Sequence, residues 1–356
     1  MEFGIYDIFI SLGTCLLLIA LLAPVAVRAG LEDKPNERKH HNGHIPLIGG
    51  IAIFLTILAV LFLQPDYNLN AEIISYLAAA GLLVAVGAVD DRYHLNVKLR
   101  MLIEAIAASI MVFGADQWVG NLGNLLSVGE LHMPFWVAYP FTLVAVFGII
   151  NAFNMIDGID GLSGSLALVT ITAILVFTNV SPLVNLLAPI ILGGLIAFLL
   201  CNLQLLRFMP KIFLGDAGSK LIGLTIVWFV ISITTGDSRN NLNSIAPVTA
   251  LYLVGLPLFD MVATTLNRRR RGVSPFEPDR SHIHHILLDS GFGARAALLV
   301  ILALSVLLAL LGILLNKSGV PEVIQFAAFF ALYLAYSALT RRALKIEQAS
   351  TTEQYQ

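Results

Sequence analysis

Long apolar stretches separated by short polar ones set the rhythm of this chain. Eleven apolar runs stand out, at residues 5–27, 46–64, 72–89, 99–114, 134–150, 162–178, 183–203, 212–233, 245–266, 296–315 and 321–340. About 20 apolar residues suffice to cross the hydrocarbon core of a bilayer as a helix. The pattern predicts an all-α, polytopic membrane helical bundle of about eleven transmembrane helices. Residues 1–345 read as one integral-membrane domain and 346–356 as a short polar tail. The first run lacks a basic n-region and a small-residue cleavage site, so it reads as a retained helix. No low-complexity tract or internal repeat interrupts the series.

Composition agrees. Of 356 residues, 58% are hydrophobic and only 12% charged, against about a quarter charged in soluble domains. The net charge of −2 says less than its distribution. When the Lys and Arg residues are sorted by connection, 19 of the 21 fall on one side, leaving only Arg239 and Lys317 opposite. Cytoplasmic loops carry such an excess, which predicts an outside N-terminus, a cytoplasmic C-terminus and an odd number of spans. Cys15 and Cys201 lie in separate apolar runs and read as packing residues.

The polar motifs gather on the basic side: LEDKPNERKHHNGHIPLIGG (31–50), VDDRYHLNVK (89–98), NAFNMIDGIDGL (151–162), FLGDAGSK (213–220) and SPFEPDRSHIHH (274–285). Asp90 and Asp91 end the third run. An adjacent acid pair is either a solvated helix end or a pair facing a hard cation, since Mg²⁺ selects oxygen ligands. Asn151, Asn154, Asp157 and Asp160 recur every third residue, sweeping one side of a helix end. Capping of the next helix accounts for one of these side chains, but hardly for two amides and two acids. Asp216, between Gly215 and Gly218, is an N-cap or a metal ligand, and Lys220 can help to hold phosphate. The RRRR run at 268–271 reads as a topology signal, and Asp260 and Glu104 are intramembrane acids, functional by default, with pairing to a nearby Lys or Arg the alternative for Glu104. Arg280, His282, His284 and His285 suit donation to a pyrophosphate better than zinc binding. Lys34, Arg38 and His41 either mark topology or receive a phosphorylated ligand. Acids for a cation beside cationic donors are the parts that phosphoryl transfer requires. A cation-coupled transporter is the rival reading, but it predicts acids at mid-membrane depth and working residues on both faces.

The set DKPNxRKxH, DDR, NAFNMIDGIDGL, FLGDAGS and SPFxPDRxHIHH, collinear from about residue 31 to 290, resembles the polyprenyl-phosphate N-acetylhexosamine-1-phosphate transferase family. Within it, the set is most similar to the undecaprenyl-phosphate GlcNAc-1-phosphate transferases. The resemblance implies an eleven-helix enzyme of the bacterial cytoplasmic (inner) membrane with a cytoplasmic active site, dependent on Mg²⁺ or Mn²⁺. It further implies transfer of a sugar 1-phosphate from a UDP-N-acetylhexosamine to undecaprenyl phosphate, releasing UMP in the first membrane step of a cell-surface polysaccharide pathway. By resemblance Asp90 and Asp91 are catalytic, and Asp216 is the principal metal ligand with Asp91 beside it. Asn151, Asn154, Asp157, Asp160 and, more weakly, Asn202 surround the nucleotide sugar with Arg280, His282, His284 and His285. Lys34, Arg38 and His41 meet the lipid phosphate. Membrane lipids are expected partners and nucleic acid is not; the oligomeric state stays open, a homodimer included. One departure stands out: where the family often reads DDxxD, the third acid is replaced by His94.

Overall fold

The computed structural model describes residues 4–34, 43–63, 69–178, 180–234, 245–274 and 279–354, and of 346–354 the backbone only. The described residues form a helical bundle with one two-residue hairpin: α1 (Ile5–Ala29), β1 (Glu32–Asp33), β2 (Ile45–Pro46), α2 (Gly49–Leu63), α3 (Ala71–Tyr93), α4 (Val97–Ala115) and α5 (Phe135–Ile156). There follow α6 (Leu162–Phe177), α7 (Pro182–Asn202), α8 (Gly215–Thr234), α9 (Pro247–Leu253), α10 (Gly255–Arg270), α11 (Ile283–Asp289), α12 (Ala294–Lys317) and α13 (Glu322–Gln354).

Every apolar run predicted as a span falls on a helix, the ninth being split into α9 and α10 with a 79° bend. Seven helices are long and apolar enough to cross a membrane, or eight if the bent pair counts as one span. α2 and α6 are apolar but only 15 and 16 residues long, and α4 carries Lys98, Arg100 and Glu104. The short helix α11 was not foreseen, because its seven residues follow a polar motif that reads as loop.

α8 is the axis of the bundle: 83% of its apolar window is buried, against 17% for α13 and 22% for α1. Small residues let its neighbours close in, as they do in membrane bundles generally. A Cβ on Gly50 of α2 would stand 2.2 Å from Gly218 Cα, and one on Gly87 of α3 would stand 2.4 Å from Ala217 Cα. Backbone pairing between residues 46–50 and 213–214 ties the start of α2 to the start of α8, with Phe213 N–H donating to Pro46 O at 2.9 Å and Gly49 N–H to Phe213 O at 2.9 Å. The N-terminus of the most enclosed helix therefore becomes a fixed point, and the polar motifs assemble around it.

Candidate active site

Asp91, near the end of α3, accepts from the backbone N–H groups of Asp216 (2.8 Å) and Ala217 (3.4 Å). It thus caps the first turn of α8, whose amides lack intrahelical partners and whose dipole favours a negative charge there. Gly215 takes φ +72, and a Cβ on it would lie 2.6 Å from Asp91 Oδ2, so glycine is needed for both backbone and contact. Asp90, 4% exposed, turns the other way. It receives Lys220 Nζ at 2.9 Å, Arg100 at 3.3 Å and the Leu95 N–H at 2.8 Å. Asp216 Oδ2 shares the same two cations, at 3.6 Å from Lys220 and 3.8 Å from Arg100. Two acids and two bases from three helices form one compact network.

Within NAFNMIDGIDGL the four polar residues separate. Asn154 donates to Asp216 Oδ1 (3.0 Å) and Ser219 Oγ (2.8 Å), while Asn151 donates to Glu104 Oε2 (3.0 Å). Asp160 is exposed and pairs with Lys211 at 2.6 Å. The Asp157 side chain has no hydrogen-bond or ion-pair partner among the described residues, and neither acid caps α6, whose N-cap is Gly161. Burial first, then the charges of Asp216, Asp91 and Asp160, push the Asp157 carboxyl up to about 8. Such crowding of carboxylates is what a bound cation relieves.

Asp157 and Asp216 supply carboxylate oxygens, the donor type that a hard divalent ion selects, while Lys220, Arg100 and the Asn154 NH₂ group also face Asp216. Among the described residues no group of three or more His, Cys, Asp or Glu is placed to hold a metal ion by itself. Mg²⁺ rarely uses such a group; it is commonly held by one or two carboxylates, water and substrate phosphates.

A cavity of about 360 Å³ opens beside this network, within the range of small-molecule sites. It is lined by Arg100, Glu104, Asn151, Asn154 and Lys220 from α4, α5 and α8 and by Arg268, Asp279, His282, His284 and His285 from α10 and the segment after it, with Gly158 among the lining residues. His284 packs so closely on Gly158 that an added Cβ would stand 2.0 Å from its Nε2. Burial, followed by the neighbouring His285, pushes the His284 imidazole down to about 3, so it is a neutral ring at ordinary pH. His285 is lowered as well, by burial and by Arg280.

Several expected residues stand elsewhere. Arg280 is exposed and paired with Asp289 at 2.6 Å, outside the cavity lining. Asn202 is buried and donates to Ile212 O at 2.8 Å, bracing the turn before FLGDAGS. Lys34 is exposed beside Glu32 at 3.5 Å, and Arg38 and His41 lie outside the described residues. His94, in place of the third acid, is an exposed residue with φ 51 that closes α3. Conversely, Arg100 and Arg268 line the cavity although sequence patterning marked them only as positive-inside charges. A signal for Arg268 did exist: Asp260, Thr264 and Arg268 recur every four residues and so share one face of α10.

The fold and the site define a helical membrane protein whose acids, amides and basic side chains converge at one end of the bundle. Residues 73–234 match the model of glycosyl transferase family 4. The undecaprenyl-phosphate alpha-N-acetylglucosaminyl 1-phosphate transferase of Salmonella typhi is 41% identical over 335 residues, covering 93% of this chain and 89% of the relative. The enzyme of that description in Escherichia coli strain K12 is 39% identical over 326 residues, covering 90% and 87%, and that of Haemophilus influenzae is 38% identical over 334 residues, covering 93% and 92%. The chain belongs to glycosyl transferase family 4 and, within it, to the family of these undecaprenyl-phosphate transferases.

Proposed function

We propose that the protein transfers N-acetylglucosamine 1-phosphate from UDP-N-acetylglucosamine to undecaprenyl phosphate, releasing UMP. The observation that carries this reading is the cavity lined by Arg100 and Lys220 of the Asp90–Lys220–Arg100–Asp216 network and by Arg268 and the histidines. A pyrophosphate needs cationic and N–H donors around it, and these residues supply them. The relatives' stated activity supports the same donor and acceptor. The positive-inside charge distribution supports a cytoplasmic site in the bacterial inner membrane, with the N-terminus outside.

In this reading a lipid-phosphate oxygen attacks the sugar-bearing phosphorus. A new P–O bond forms there, the bond to the bridging oxygen breaks, and UMP leaves with the electron pair. Arg100 and Lys220, held by Asp90 and Asp216, meet the acceptor phosphate and the developing charge. Asn154 orients Asp216, and Asp91 fixes the α8 terminus on which Asp216 stands. His284 and His285, both pushed toward the neutral form, donate without adding charge. Mg²⁺ or Mn²⁺, held by Asp216 with Asp157, would neutralise phosphate charge when bound.

Purified protein incubated with Mg²⁺, undecaprenyl phosphate and a panel of UDP-sugars should release UMP with UDP-N-acetylglucosamine. Asp216→Asn should abolish release while thermal unfolding stays cooperative. A folded wild-type protein that releases no UMP with any sugar would overturn the assignment.

A further inference from the structure

Asp260 is a buried acid inside the bent span, 1% exposed, and the transfer chemistry above makes no use of it. Its surroundings are fully specified. Asp260 Oδ1 accepts from the Ile283 N–H (2.8 Å) and from the Tyr336 hydroxyl of α13 (2.8 Å), and Oδ2 lies 2.7 Å from His282 Nδ1. Across the ring, His282 Nε2 lies 3.2 Å from a terminal nitrogen of Arg268. The guanidinium can only donate, so Nε2 must be the unprotonated nitrogen and Nδ1–H must donate to Asp260. One turn apart on the same face of α10, Thr264 Oγ1 donates to Ser281 O at 3.5 Å, and Arg268 also holds Asp279 at 2.9 Å. The face of α10 thus acts as a template for the segment that carries HIHH.

We propose that Asp260 is a positioning residue for donor binding: through the Nδ1–H tautomer of His282 it aims the Arg268 guanidinium at the cavity. This rests on the function proposed above. The physical case is that a carboxylate on one ring nitrogen selects the tautomer and orientation of a histidine, and so decides what the other nitrogen can meet. With an amide at position 260, its oxygen stays with the Ile283 N–H, which can only donate, so the NH₂ group faces Nδ1 and donates to it. The ring must then carry its proton on Nε2, where it confronts another donor on Arg268. Tyr336 lends a second hydrogen bond to the carboxylate but does not touch the ring, so its hydroxyl tunes the device without setting the tautomer.

The test uses the full chain in detergent or nanodiscs. Asp260→Asn should raise the KM for UDP-N-acetylglucosamine by about 10- to 100-fold, the usual effect of losing such an orienting partner, with a smaller change in kcat. In a His282→Ala background the same substitution should add no more than about twofold. An equal loss in both backgrounds would show that Asp260 merely staples α10 to its neighbours, and would overturn the proposal. Independently of activity, ¹⁵N NMR of the ligand-free protein should show one histidine, absent in His282→Ala, protonated at Nδ1 and bare at Nε2. Tyr336→Phe should keep that signature. A wild-type His282 protonated at Nε2 would sink the relay even if UMP release is as proposed. Absence of UMP release in a wild type with the expected signature would instead remove the function and, with it, the donor-binding role.

Discussion

Lys220 Nζ lies 2.9 Å from Asp90 Oδ2, with both side chains only 4% exposed and the two residues 130 positions apart in the chain. Neither charge is tolerable there alone. Lys220→Met leaves Asp90 with Arg100 at 3.3 Å and the Leu95 N–H at 2.8 Å, so it should destabilise the protein by less than the about 3–5 kcal/mol of a wholly stranded buried charge. Asp90→Asn combined with Lys220→Met should recover part of the loss. Thermal unfolding of the wild type and the two variants decides it; a single Lys220→Met that melts with wild type would remove the pair from the account of stability.

A Cβ on Gly158 would stand 2.0 Å from His284 Nε2, where two sequence motifs meet. Gly158→Ala should push the His284 ring from its place, at the ~1–3 kcal/mol that overpacking commonly costs, and weaken UDP-sugar binding. Gly148→Ala is the control, since a methyl there meets nothing within 4 Å. Calorimetric titration of the donor against both variants should separate them, and equal affinities would show that the His284 contact is idle.

The His284 ring is pushed down to about 3 from an ordinary value of 6.5. The unfolded chain therefore binds a proton below about pH 6.5 that the folded chain refuses. This contribution to stability is fully present above pH 6.5 and is lost progressively as pH falls toward 3, by up to ~1.4 kcal/mol per unit. Denaturation midpoints measured from pH 7 to 5 should fall more steeply for wild type than for His284→Gln. Parallel curves would exclude His284 as the source.

Asp160 and Lys211 form a close but solvated pair, 41% and 28% exposed. Exposed pairs contribute at most about 1 kcal/mol. Asp160→Asn should shift the melting temperature only slightly, and high salt should erase the difference from wild type. A large shift that persists in salt would mean that the pair is more enclosed than its exposure indicates.

Most of the fold was legible because apolar content is a local property. Each predicted span became a helix, and the Pro247–Leu253 and Gly255–Arg270 pair departed only by bending. The number of helices able to cross the membrane was less legible, since α2, α4 and α6 are short or charged. The candidate site was legible as a set of motifs but not as a set of roles. The resemblance puts Asp91 beside Asp216 at the metal, whereas the structure shows its carboxylate accepting from two backbone amides of α8, a role no local pattern reveals. Arg268 stood in a basic run and Arg280 in the motif, yet only the former faces the cavity. No local pattern could show this, because the partners lie on separate helices.

The amino-acid sequence by itself determined a membrane helical bundle with five polar motifs on its basic side, and it determined the chemistry those motifs offer. These follow from residue type and short spacing alone. Only the tertiary structure decided which acid caps a helix, which pairs with a lysine and which stays without a partner, as Asp91, Asp160 and Asp157 respectively do. The reason is reach: a hydrogen bond demands partners within about 3 Å, and only the packing around α8 brings residues from α3, α4 and α5 that close.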